Sequence, residues 1–93
     1  MVVGLIVWEL EVLGAQSLKD KRRVVKSLKE RLRSRFAVST AETNHQDLWQ
    51  RAEIAACLVS GEKHHVDEVL DSMDRLVVGD GRARVIQSRR SYY

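Results

Sequence analysis

Cysteine is nearly missing from this sequence: Cys57 stands alone among 93 residues. A single thiol cannot close an internal disulfide, so a disulfide-stapled scaffold is excluded and a reducing compartment is expected. Its place in the apolar run "AEIAACLV" reads as that of a buried, inert thiol rather than a nucleophile. Histidine is scarce too. His45, His64 and His65 with one cysteine are too few and too scattered for a zinc cluster, so no metal and no cofactor are expected. Long apolar runs are also lacking. The start, "MVVGLIVWELEV", carries no basic leader and is interrupted by Glu9, so it reads as neither signal peptide nor membrane helix. No membrane partner is expected, and the cytoplasm is the default location. With no repeats, linkers or low-complexity tracts, residues 1–93 are expected to form one domain.

What the sequence does have is charge in one place. Lys19, Lys21, Arg22, Arg23, Lys26, Lys29, Arg31, Arg33 and Arg35 face only Asp20 and Glu30 within residues 19–35. That segment carries +7, which leaves the rest of a +3 chain at −4. A basic face so localised suits a phosphate-bearing partner.

Hydrophobic spacing assigns the elements. Residues 2–12 alternate as a strand, with Val2, Ile6, Trp8, Leu10 and Val12 on one face and Val3, Leu5, Val7, Glu9 and Glu11 on the other. "GAQS" is a turn, and Ser17 with Asp20 resembles a capping box that starts a helix of about five turns. Leu18, Val24, Val25, Leu28 and Leu32 form its buried stripe, while Lys19, Arg22, Arg23, Lys26 and Arg33 share another arc. Residues 36–43 and 49–59 read as two strands joined by a five-residue hairpin connection, 44–48. Val66, Val69, Leu70, Met73, Leu76 and Val77 mark a second helix over about 64–77, whose other face is acidic. "GDG" at 79–81 ends it, and "RARVIQSRR" is a last, basic strand.

The order β-α-β-β-α-β predicts an α+β, ferredoxin-like domain with a four-stranded antiparallel sheet and both helices on one face. The basic helix then lies beside the acidic one, which accounts for part of the opposed charge. In that topology the start of the first helix, the 44–48 loop and the "GDG" turn share one end. Lys19, Lys21, Arg22 and Arg23 are expected to gather near "NHQD", residues 44–47.

Three readings compete for that end. Cations in a first helical turn oppose the helix dipole, each at a cost of about a few tenths of a kcal/mol. Their presence suits an anion held by free N–H groups and cationic side chains. The plainer reading is a solvated face that pairs with the second helix, and the third is a contact with an acidic protein surface. In the loop, His45 and Asp47 have the makings of a general base and its orienting carboxylate, but no nucleophile accompanies them. A structural turn or a fold-stabilising network is the expected role. Trp49 either caps the end of the sheet or stacks on a base; Trp8 belongs to the core, and His64 and His65 to the surface.

Two segments, "SLKDKRRVVKSLKERLRSRF" (17–36) and "AETNHQDLWQRAEIAACLVS" (41–60), together resemble the YlxP-like family, domain of unknown function 503. The resemblance covers nearly the whole chain. Asp20 stands where that family usually has Glu, and "AVST" replaces "NVSV". The family is small, ferredoxin-like and without an assigned activity. Its genes often lie among those for translation initiation and ribosome maturation, which implies an RNA or ribosome partner.

The leading functional reading is therefore a non-enzymatic binding module for RNA or a ribonucleoprotein. Lys19, Lys21, Arg22, Arg23, Lys26 and Arg33 would contact phosphates, with His45, Gln46 and Trp49 adding polar or stacking contacts. No aromatic pair on the strands supports the RRM mode. A second reading is a homo-oligomeric interaction module in which the first helix meets an acidic partner. Strands 1 and 3 are apolar on both faces, so a homodimer through the open face of the sheet is expected at Val3, Leu5, Val7, Ala55, Cys57 and Val59. A third, a phosphate-ester or acyl-phosphate hydrolase, rests on the fold shared with acylphosphatases and lacks their phosphate-cradling glycine loop.

Overall fold

A computed structural model describes all 93 residues. The elements are β1 (Val2–Val12), α1 (Leu18–Arg35), β2 (Ser39–Asn44), β3 (Arg51–Ser60), α2 (Lys63–Val78) and β4 (Ala83–Tyr92). The sheet has the order β2-β3-β1-β4, with every neighbouring pair antiparallel. This is the expected ferredoxin-like arrangement. No helix is long and apolar enough to cross a membrane.

Local chemistry sets the helix limits. Ser17 caps α1 by accepting the Asp20 amide at 3.1 Å, and the Asp20 carboxylate accepts the amide of Gln16 at 3.1 Å. Arg33 and Arg35 in the last turn suit its carbonyl end. The helix runs through Arg35 and Phe36 forms its C-cap, so β2 starts three residues later than the strand periodicity implied. The connection between β2 and β3 correspondingly spans residues 45–50, with Asn44 still in the strand.

The core lies between the helices and one face of the sheet. Ile6, Trp8, Leu10 and Val12 of β1 and Ala52, Ile54, Ala56 and Leu58 of β3 meet Val25, Leu28 and Leu32 of α1 and Val66, Leu70 and Met73 of α2. The buried indole N–H of Trp8 is satisfied by Asp74 Oδ1 at 2.9 Å. Gly4 occupies the one position of that β1 face where a side chain cannot fit. A Cβ there would stand 2.2 Å from Val66 Cγ1, so glycine lets α2 approach the strand.

Alternation sends Val3, Leu5 and Val7 with Ala55, Cys57 and Val59 to the opposite, open face. Cys57 is thus half-buried on that face and not the core residue its apolar neighbours suggested; Ala56 and Leu58 turn toward the helices instead. Val7 is already buried within the single chain, whereas Val59 is 64% exposed.

Candidate nucleic-acid interface

The interface begins with a lysine that is not part of it. Lys21 has no solvent exposure, and its Nζ donates to Glu42 Oε2 at 2.6 Å, to the His45 carbonyl at 2.8 Å and to the Gln46 carbonyl at 3.3 Å. Three acceptors use up the three ammonium donors. No phosphate can reach this group, which corrects the expectation that Lys21 contacts one. At 100° per residue Lys21 falls among Leu18, Val25, Leu28 and Leu32, so helix geometry places it in the buried stripe.

That contact ties the middle of the first helical turns to the β2–β3 loop. His45 adopts a left-handed backbone, φ 63°, which costs a non-glycine residue about 1–2 kcal/mol. The loop holds the conformation through several bonds. The His45 carbonyl also accepts from the Leu48 amide at 3.0 Å, and His45 Nε2 lies 2.8 Å from Glu9 Oε1. Gln46 Nε2 donates to the Glu42 carbonyl at 3.3 Å, and Gln50 Nε2 to the Ala15 carbonyl at 3.1 Å. "NHQD" is therefore a fold-stabilising network. His45 and Asp47 do not form a catalytic pair, because the imidazole is engaged with Glu9 and Asp47 has no hydrogen bond to it.

None of Lys19, Arg22 or Arg23 bonds the loop; of the four cations expected to gather there, only Lys21 does. The others are exposed, together with Lys26 and Arg33. Arg33 reaches Thr40 Oγ1 of β2 at 3.2 Å, while Arg31 on another side of α1 meets Asp80 at 2.9 Å. The C-terminal member of the cationic arc, Arg33, thus reaches β2, whereas Arg23 near its start lies beside Leu13, Val24 and Arg82. At the helix N-terminus Ser17 takes the Asp20 amide, and the Asp20 carboxylate, turned back to the Gln16 amide, puts a negative charge beside that end.

Pairing distinguishes the cations of α1 from those of the rest of the chain. Of nine cations in residues 19–35, only Lys21 and Arg31 have a carboxylate partner. Of the seven elsewhere, only Arg75 lacks one. No ion pair joins α1 to α2, which overturns the expectation that the basic helix offsets its charge against the acidic one. The acidic face of α2 is used locally. Asp67 meets Lys63 at 3.1 Å, Glu68 meets His64 at 2.6 Å, Asp71 meets Arg90 at 2.8 Å, and Asp74 takes the Trp8 indole.

Two further sets of residues went unread in the sequence. Asp80 of "GDG" is buried and accepts from Arg31, from both Nε and Nη2 of Arg82, and from the Arg82 amide. Those Arg82 bonds hold its carboxyl down at about 2, against burial, which acts the other way. An Asp two residues before an Arg, at a helix stop, is the signal that points to it. On the open face, Glu9, Glu11 and Glu53 are matched by Arg51, Arg84 and Arg89. Glu9 and Glu53 stand directly opposite across β1 and β3, where unmatched carboxylates would repel. The apolar half of that face surrounds a shallow depression of about 140 Å³ beside Leu5, floored by Ala41, Ala55 and Cys57.

Trp49 is 54% exposed, in contrast to the fully buried Trp8. Gln46 is also exposed. No group of three or more His, Cys, Asp or Glu side chains is placed to hold a metal ion.

The model for a protein of unknown function, DUF503, matches residues 3–90 of this chain. The uncharacterized protein YlxP of Bacillus subtilis (strain 168) is 33% identical over 69 residues, which span 74% of this chain and 75% of that protein. A de novo designed protein with a ferredoxin fold, solved by solution NMR, aligns over 99% of this chain and 84% of its own. It is 12% identical, with a TM-score of 0.49.

Proposed function

This chain belongs to the DUF503 family, and on that premise we propose that it is a non-enzymatic module that binds RNA or a ribonucleoprotein through the exposed cationic arc of α1. One observation carries the reading: Lys19, Arg22, Arg23, Lys26 and Arg33 are exposed and have no carboxylate partner, in a chain that pairs six of its seven cations outside residues 19–35. Like charges crowded along about 21 Å of helix repel one another, and a polyanion relieves that repulsion. The spread of the charges along one helix suits a run of phosphates better than a single small anion. The contacts of these cations are to the backbone of the nucleic acid.

The test is binding to purified ribosomal RNA as a function of salt. Five phosphate contacts predict a slope of log affinity against log salt of about −4. Replacing Lys19, Arg22, Arg23 and Lys26 by Ala should weaken binding and flatten that slope by roughly one for each lost contact. A slope that stays unchanged overturns the reading.

Assembly of two copies through the open sheet face is a second reading. The exposed Val59, the half-buried Leu5 and Cys57 and the depression beside Leu5 favour it. Area limits it. Three strands of ten or eleven residues and one of six offer roughly 600 Å², whereas a stable interface takes about 800 Å² from each partner. The apolar half alone is too small, so the Glu9, Glu53, Arg51 and Arg89 network would have to enter the interface as well. Both signs of charge are present there, as a self-complementary surface needs.

A further inference from the structure

We infer that the RNA of the reading above carries an unpaired nucleotide whose base stacks on Trp49, so that the chain selects RNA with single-stranded segments over a uniform duplex. The inference rests on that reading and adds to it a ligand feature that charge alone does not supply.

The two tryptophans have opposite fates. Trp8 is fully buried with its indole N–H bonded to Asp74, whereas Trp49 is 54% exposed. Exposure of an indole on a loose loop would carry little weight, because a loose loop can fold it away. This loop is not loose. It is pinned on one side of Trp49 by Lys21 at the His45 and Gln46 carbonyls. On the other side, Gln50 donates to the Ala15 carbonyl at 3.1 Å and accepts the Val12 amide at 2.9 Å. The left-handed His45 is a strained residue retained within this arrangement. The indole is therefore presented to solvent by a preorganised loop.

Position links it to the cations. Lys21 is the sequence neighbour of Arg22, and its ammonium is bonded to the loop that bears Trp49. The cationic arc thus begins, at Lys19, Arg22 and Arg23, at the end of the domain that bears the indole, and runs away from it along α1. An indole has no charge and offers nothing to phosphate, but its face stacks on any base that is free of its own stack. Bases within a duplex are closed to it. A flank for phosphates beside a platform for a base matches a nucleotide chain that leaves its helix, as in a hairpin loop or a bulge.

Leu13 and Leu48, also about half exposed, lie in the same turns. They make an anionic lipid surface the competing partner for this end. The lipid reading is disfavoured because the unpaired cations run down the length of α1 and are not gathered around the indole.

The experiment uses the intact chain, with Trp emission as one readout and the anisotropy of labelled RNA as the other. The probes are an RNA hairpin with an unpaired loop, a perfect RNA duplex, and vesicles of phosphatidylcholine with phosphatidylserine. The hairpin should quench the emission of Trp49 and the duplex should not. Trp49→Ala should lower affinity for the hairpin roughly tenfold, leave duplex affinity unchanged, and abolish the quench, with Trp8 remaining as the silent control. Trp49→Phe should recover part of the affinity. Hairpin binding that is unaffected by Trp49→Ala overturns the stacking inference while the charge reading stands. If neither RNA binds and the vesicles shift the emission, both fall, and this end of the domain is a membrane contact.

Discussion

The ammonium of Lys21 lies 2.6 Å from the carboxylate of Glu42, with Lys21 fully buried and Glu42 nearly so. This pair joins α1 to β2, and through the two loop carbonyls on the same ammonium it also fixes the hairpin. A lysine that looks, in sequence, like one more cation of a basic helix is thus a tether. Removing one partner of a buried pair leaves the other without compensation, at a cost of about 3–5 kcal/mol. Glu42 retains some access to water, so Lys21→Met is expected to destabilise by about 3 kcal/mol in urea unfolding. Lys26→Ala is expected to stay within about 0.5 kcal/mol while weakening RNA binding. Equal melting of the two variants would refute the distinction.

Asp80 predicts an acid-sensitive step. Its carboxyl titrates at about 2 in the fold against 3.8 ordinarily. The depressed value stabilises the fold by about 2 kcal/mol at neutral pH, and that contribution is lost as pH falls from about 4 toward 2. Asp80→Asn should remove this part of the acid dependence and also destabilise the protein at pH 7, since Arg31 and Arg82 lose their acceptor. Denaturant midpoints measured from pH 2 to pH 7 check it, and parallel curves for the two proteins would contradict it.

Gly4→Ala is expected to destabilise by about 1–3 kcal/mol, because its Cβ would lie 2.2 Å from Val66 Cγ1 and α2 must shift away from β1. The double variant Gly4→Ala with Val66→Ala removes the clashing methyl. It should lose less stability than the two single variants sum to. Additive losses would mean that the close approach is not the cause.

Leu5→Glu places a charge on the open face without touching the helix side of the sheet. It is expected to leave the melting of the isolated chain nearly unchanged and to dissociate any dimer in sedimentation at micromolar concentration. A wild-type chain that sediments as a monomer would end the assembly reading. High salt should loosen the dimer as well, since the interface must take in the Glu9 and Glu53 pairs to reach a stable size.

The sequence by itself determined the element order, the chain topology and the buried faces. Those follow from periods of 3.6 and 2 in residues such as Leu28 and Leu32, or Ile6, Trp8 and Leu10, and from Ser17 as a cap. Local hydrogen bonding and alternation act over a few residues, so a few residues suffice to read them. In the sequence Lys21 counts with Arg22 and Lys26 as a phosphate contact, although helical spacing places it with Leu28 and Leu32. What only the tertiary structure decided is which charges are spent. Glu42 is 21 residues from Lys21, Asp80 is 49 residues from Arg31, and Glu53 is 36 residues from Arg89. Pairing over such separations depends on how the sheet registers and where α1 lies upon it. A charge read from the sequence has a sign and a position along its element. Whether it is free for a partner is settled only when the fold has brought, or failed to bring, an opposite charge within a few ångströms.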